Sequence, residues 1–385
     1  MTETKPNRHV KTVCTLGPAS NSAEVIRKLL AGGMDFARLN LNYGTLEEHS
    51  QLIRTVRSLS QERKRTAGVL LDLPGSKRKA GSVRDVFGPH LEFAVSHKVD
   101  FVALSFISSA QQVTEVRQLL TEMKSDIPII VKIERAKSLE ASEAILEVCE
   151  GIMVARGDLA SDISIEKVPM AQKHLIKAAN KAGKPVITAT QMLVSMVHSN
   201  TPTRAEATDV ANAVLDGSDA LMLSEETTIG DYPVEAVEMM VKIILEAEAE
   251  FPYGQILHEA VPGVLAEIND ATAAAACEIA YQVQSKAVIA FTARGTTALR
   301  VSKYRPHQPI LAVTPTESVA RRLALSWGVL PVIKTAPPEL NGILELAVEV
   351  ALDTGIAGKG DVLVITAGIP PTGHGGTNLI KVHRI

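Results

Sequence analysis

At 385 residues the chain exceeds the size at which one hydrophobic core keeps growing, so two or more domains are expected. An apolar share of 46%, a charged share of 22% and a net charge of −3 suit a globular protein and exclude a duplex-binding surface or a patch for anionic membranes. No apolar run approaches the ~18–20 residues of a bilayer span, MTETKPNRHVK has no secretory-leader core, and Cys14, Cys149 and Cys277 form neither a disulfide framework nor a zinc site, so a cytoplasmic setting is expected.

Eight short apolar runs follow in chain order: TVCTLG (12–17), FARLNL (36–41), AGVLLDLP (67–74), FVALSFI (101–107), PIIVKIE (128–134), GIMVARGD (151–158), PVITATQM (185–192) and ALMLSEET (220–227). Amphipathic stretches separate them. In AEVIRKLLAGG (23–33), residues 25, 26, 29 and 30 make an apolar stripe, and Gly32 is expected just beyond the helix end. Near-continuous hydrophobic strands alternating with helices require a parallel sheet covered by helices, and eight such units predict a (β/α)8 TIM barrel over residues 1–260. Four further runs, AVIAFT (287–292), PILAVTP (309–315), VLPVIK (329–334) and DVLVITAG (361–368), predict a C-terminal α/β domain over 261–385 with an open, mostly parallel sheet.

A barrel of this kind carries its functional groups at the C-terminal strand ends. The polar residues that interrupt the apolar runs collect there: Arg38, Asn40, Asp72, Ser105, Lys132, Glu134, Asp158, Thr190, Gln191, Ser224, Glu225 and Glu226. Lys132 and Glu134 are two apart on one strand and share a face. An internal ion pair explains that pair equally well, but Asp158 on the next strand turns the set toward a metal site. Two carboxylates with a lysine can hold a hard cation and stabilise a bound phosphate or enolate. The RGDL segment reads as a turn in which Gly157 lets the backbone approach a ligand. Arg38 fits a phosphate clamp or a structural salt bridge, and Thr190 a donor to substrate or an ordinary strand residue. His49, His90, His97, His174 and His198 show no metal-ligand spacing and read as surface or helix residues.

These segments resemble the pyruvate kinase family over nearly the whole chain, in KTVCTLGPAS (11–20), GMDFARLN (33–40), VKIE (131–134), GIMVARGDLA (151–160), ITATQML (187–193), TPTRAEATDVANAVLDGSDALMLSEET (201–227) and ITAGIP (365–370). The resemblance implies that Glu134 and Asp158 hold Mg2+ (or Mn2+), and that Lys132 stabilises the transferring phosphoryl group and the enolate. It implies that Arg38 contacts phosphate, and that Thr190 with the backbone of Ala155, Gly157 and Asp158 forms the phosphoenolpyruvate carboxylate and proton-delivery region. The implied reaction takes phosphoenolpyruvate and ADP to pyruvate and ATP, in a homotetramer.

The sequence also departs from the family. LDLPGSKRKAGSVRDVF (71–87) runs straight into the next unit, so the lid domain usually inserted there is absent, which threatens nucleotide use more than metal or enolate binding. Asn40, Asn42 and Asp72 stand where a monovalent-cation site is expected, but Leu73 brings no hydroxyl and Lys77 replaces a glutamate, which implies that K+ is not required. Ser108, Arg135 and Glu225 mark further changes at the rim. In the C-terminal domain, Thr292, Arg294, Gly295, Thr296 and Thr297 form a strand-to-helix turn suited to a phosphorylated effector, or ordinary turn chemistry. Two other readings keep the same residues: a metal-dependent oxaloacetate decarboxylase or enolate lyase, and a non-catalytic effector-binding sensor.

Overall fold

The computed structural model describes residues 8–63, 65–75, 82–260, 267–369 and 376–385, so Lys77 and Gly81, after which the lid domain is missing, lie outside it. The chain divides into two compact units, Val10–Ala249 and a second containing His9 and Glu250–Ile385.

The first unit is a closed parallel barrel. Its strands are β1 (Lys11–Thr15), β2 (Phe36–Asn40), β3 (Gly68–Leu73), β4 (Phe101–Leu104), β5 (Ile129–Ile133), β6 (Gly151–Ala155), β7 (Val186–Ala189) and β8 (Ala220–Leu223), with β8 pairing back onto β1. All but the last residue of β2 are buried, which is why these strands read as unbroken apolar runs rather than alternating ones. The first covering helix, Ala23–Gly32, opens on the Ser22 hydroxyl, which accepts from the Val25 amide at 3.2 Å. It buries Ile26, Leu29 and Leu30, each contributing roughly 1.5–3 kcal/mol. Its cap is Gly33, at φ 136°, and Gly32 is still helical, one residue later than the sequence suggested. β3 ends at Leu73 and the next helix already runs over Val83–Ser96, so no lid domain stands between them.

The second unit holds a five-stranded sheet in the order β11-β10-β9-β12-β13, formed by β9 (Ala287–Phe291), β10 (Ile310–Thr314), β11 (Val329–Ile333), β12 (Val362–Ala367) and β13 (Leu379–Arg384). The first four are parallel and β13 joins the edge antiparallel. Alternate residues face opposite layers. Val288, Ala290 and Val364 pack among Ala273, Cys277 and Ala280 of the helix Ile268–Gln282. Ile289, Leu363 and Ile365 pack among Ile343, Ala347 and Val350 of Leu340–Asp353.

The boundary read at 260/261 lies one helix beyond this division. Tyr253–Ala260 places Leu257 in the second unit's core. His9 belongs there too: its carbonyl accepts from the Gly328 amide at 3.0 Å, and its ring stacks on Trp327 at 5.5 Å.

Candidate active site

Strand register brings the sequence-selected groups to one rim. Asn40 of β2 pairs with Asp72 of β3, Asp72 with Ala103 of β4, and Lys132 of β5 with Met153 of β6. Arg38, Asp72, Ser105, Lys132 and Glu134 are all buried, with Asp72 fully so. Such charges are tolerated only when paired.

They are paired with one another. Arg38 donates to Asp72 Oδ2 from Nε at 2.9 Å and from Nη2 at 2.6 Å, and from Nη1 to Thr15 Oγ1 at 2.9 Å. Lys132 Nζ donates to Ser105 Oγ at 3.0 Å and forms ion pairs with Glu134 Oε1 at 2.6 Å and Asp72 Oδ2 at 3.3 Å. Ser105 Oγ in turn donates to Asp72 Oδ1 at 3.2 Å. Burial alone would raise the Asp72 carboxyl, but the charges of Lys132 and Arg38 together outweigh it and hold the carboxyl below its ordinary range. Burial likewise works against the Lys132 ammonium, yet Asp72 and Glu134 raise it. For Glu134 burial prevails over Lys132, and its carboxyl is pushed up.

Backbone geometry fixes Glu134 from the other side. The Phe106 amide donates to Glu134 Oε2 at 2.8 Å, and Phe106 adopts φ 59°, a left-handed conformation costly for an aromatic residue. Gly75 passes directly over that turn, where an added Cβ would lie 2.2 Å from the Ser105 carbonyl oxygen. Only glycine permits this approach.

The RGD segment differs from the sequence reading. β6 ends at Ala155, and Arg156–Asp162 is a helix, so Asp158 stands in the first helical turn and not at a strand end, while Gly157 is helical and not a turn residue. The helix starts without a capping side chain, which removed the usual sequence signal. Arg156 ties this helix to the end of β7: Nη2 donates to the Thr190 carbonyl at 2.7 Å, Nε to the Ala189 carbonyl at 3.3 Å, and Nη1 to Asp209 at 2.7 Å. Thr190 and Gln191 are left-handed, at φ 71° and 55°. The Thr190 hydroxyl accepts from the Gly157 amide at 2.9 Å and donates to the Ala189 carbonyl at 2.6 Å. Asp158 is exposed.

Elsewhere on the rim, Asn40 Oδ1 accepts from both the amide and the side chain of Asn42 at 3.1 Å, while Asp72 turns to Arg38 and Lys132. Glu226 accepts from the amides of Ser224 at 2.7 Å and Leu193 at 3.0 Å, linking the ends of β7 and β8. Among the histidines, His49 is buried in the helix Leu46–Glu62 and its Nε2 lies 2.8 Å from the Tyr43 carbonyl oxygen. In the second unit, Gly295 at φ 92° opens the helix Thr296–Lys303, with Arg294 and Thr296 exposed. Thr297 accepts from the Thr377 hydroxyl at 3.0 Å, and the Thr292 hydroxyl is buried with no partner among the described residues.

No group of three or more His, Cys, Asp or Glu side chains converges among the described residues, and the two Glu134 carboxylate oxygens face Lys132 and the Phe106 amide. A divalent cation at this rim would have Glu134 and Asp158 as its carboxylate donors and would complete its shell with water and substrate oxygens. Two residues of this hydrogen-bonded rim escaped the sequence reading. Thr15 looks like any β-branched strand residue, and Arg156 like part of a turn.

The description of the pyruvate kinase barrel domain matches residues 7–90 and 82–237, and that of the pyruvate kinase alpha/beta domain matches 270–383. The chain belongs to the pyruvate kinase family. Pyruvate kinase of Staphylococcus epidermidis (strain ATCC 35984) is 36% identical over 471 aligned positions, covering 98% of this chain and 80% of the relative. Pyruvate kinases of Staphylococcus aureus strains MRSA252 and USA300 are 36% and 35% identical over the same coverage. The alignments are longer than the 385-residue chain, as expected of a pyruvate kinase family member that lacks the lid.

Proposed function

We propose that this protein transfers the phosphoryl group of phosphoenolpyruvate to ADP, giving pyruvate and ATP, with Mg2+ or Mn2+ held by Glu134 and Asp158. The observation that carries this reading is the buried cluster in which Arg38 and Lys132 converge on Asp72, beside Glu134, on one rim of the barrel. Three of the five Arg38 N–H groups are engaged within the protein, and one on each terminal nitrogen is left for phosphoryl oxygens. Lys132 places its charge where the transferring group and the enolate oxygen become negative. The metal, when bound, supplies further neutralisation of that charge. As the bond between phosphorus and the bridging oxygen breaks, the electron pair stays on the enolate, and C3 then takes a proton at the side of Thr190.

The reading extends to the monovalent cation, the effector and the assembly. Asp72 already faces two protein cations, which supports turnover without K+. The Thr292 hydroxyl, buried with no partner among the described residues in the segment that leads to Gly295, supports a phosphorylated effector in the second unit. The homotetramer and the cytoplasmic setting rest on family membership alone. Lack of the lid leaves the nucleotide half less enclosed, so phosphoryl transfer is expected to be slower than the enolate chemistry permits.

The test is a Mg2+-dependent assay with phosphoenolpyruvate and ADP, run beside one with oxaloacetate alone. Pyruvate formed with ATP, and lost in Lys132→Ala, is the expected result. Pyruvate from oxaloacetate only would replace the kinase reading with a decarboxylase.

A further inference from the structure

We infer that Thr15 is a positioning residue for phosphoenolpyruvate binding, setting the Arg38 guanidinium so that its two remaining N–H groups meet the phosphoryl oxygens. This rests on the phosphoryl-transfer reading above. Thr15 closes β1 and pairs directly with Arg38 across the β1–β2 ladder. Its side chain is buried, and its hydroxyl proton goes to the Leu223 carbonyl of β8 at 2.9 Å. With that proton committed, the oxygen can only accept from Arg38 Nη1, at 2.9 Å.

The guanidinium is therefore gripped at two places. Asp72 takes Nε and Nη2 on one edge, and Thr15 takes Nη1. The carboxylate alone would leave the planar group free to swing about that edge; the hydroxyl fixes its rotation. Thr15 is itself held, since its carbonyl accepts from the Thr227 hydroxyl at 2.8 Å and the Arg38 carbonyl accepts from the Leu16 amide at 3.0 Å. The chain of hydrogen bonds thus runs from β8 through β1 to the clamp on β2, with Thr15 acting through Arg38.

The experiment compares Thr15→Val, Thr15→Ala and Thr15→Ser in steady-state turnover of phosphoenolpyruvate. Losing a buried hydrogen bond to a charged donor corresponds to about tenfold to hundredfold in affinity. KM for phosphoenolpyruvate should rise by that factor in Thr15→Val and Thr15→Ala, with kcat changed less than about threefold. Thr15→Ser, which keeps the hydroxyl, should restore KM to within about threefold. In an Arg38→Lys background, which lacks the forked donor, Thr15→Val should add less than about twofold. An unchanged KM in both Thr15→Val and Thr15→Ala, no rescue by serine, or full additivity with Arg38→Lys would each overturn the inference alone, provided Arg38→Lys itself raises KM. A wild-type protein that neither binds nor turns over phosphoenolpyruvate would overturn the functional reading and this inference with it.

Discussion

Replacing Asp72 by asparagine keeps the shape of the side chain and removes its charge. Asp72 is fully buried between Arg38 and Lys132, whose side chains are only 9% and 11% exposed. Removing one partner of a buried ion pair costs about 3–5 kcal/mol, because the surviving charge stays desolvated. Here two cations lose one partner, and Glu134 can compensate only Lys132. A loss of about 4 kcal/mol is therefore expected, a large part of the ~5–15 kcal/mol that stabilises a typical domain. The control is Glu122→Gln, which breaks the Arg84–Glu122 pair, 61% and 57% exposed. There about 1 kcal/mol or less is expected. Urea unfolding followed by far-ultraviolet circular dichroism reads both variants. Equal shifts in the two would refute the argument that burial of Asp72 sets the cost.

Because the folded Asp72 pKa lies below its unfolded value of about 3.9, its stabilisation is complete above that pH and is withdrawn as pH falls through the depressed value. The stability gap between wild type and Asp72→Asn should then be constant from about pH 5 to 7 and shrink below about pH 4, as measured by urea midpoints. Gly75→Ala should shift the Ser105–Phe106 turn by about 1 Å and cost on the order of a hundredfold in kcat/KM, with folding retained by circular dichroism. Arg156→Lys keeps a charge for Asp209 but cannot make the carbonyl bonds to Ala189 and Thr190, so turnover should fall at least about tenfold while the Tm moves modestly. Burial pushes the Cys149 thiol up to about 11 and Cys277 higher still, so a thiol reagent at pH 8 should label none of the three cysteines until denaturant is added.

The barrel was legible because burial on both faces leaves an unmistakable run of apolar residues on every strand. The same continuity misled at GIMVARGD: nothing polar separates the strand from the helix after Ala155, and no capping side chain announces Arg156. β13 went unread because LIKVHR follows a glycine-rich stretch and, as an edge strand, buries little. The rim carboxylates and Lys132 were visible as polar breaks in apolar runs. Thr15 was not, since a threonine at a strand end is ordinary until its neighbour across the ladder is known. Helix Tyr253–Ala260 carries no mark of which unit it serves; only the position of Leu257 decides it.

His9 has a consequence for dissecting the protein. A polypeptide begun at Glu250 would contain every strand of the second sheet and keep Phe251 against Trp327, yet lose the His9 ring stacked on Trp327 and leave Gly328 without its backbone acceptor. Conversely, trimming the first nine residues removes nothing from the barrel's own ladder, which starts at Lys11. The chain closes a long circuit in which His9 meets the His307 carbonyl across a separation of 298 residues. During synthesis all eight barrel strands are made before Trp327, so His9 finds its partner only after the barrel's own strands are complete.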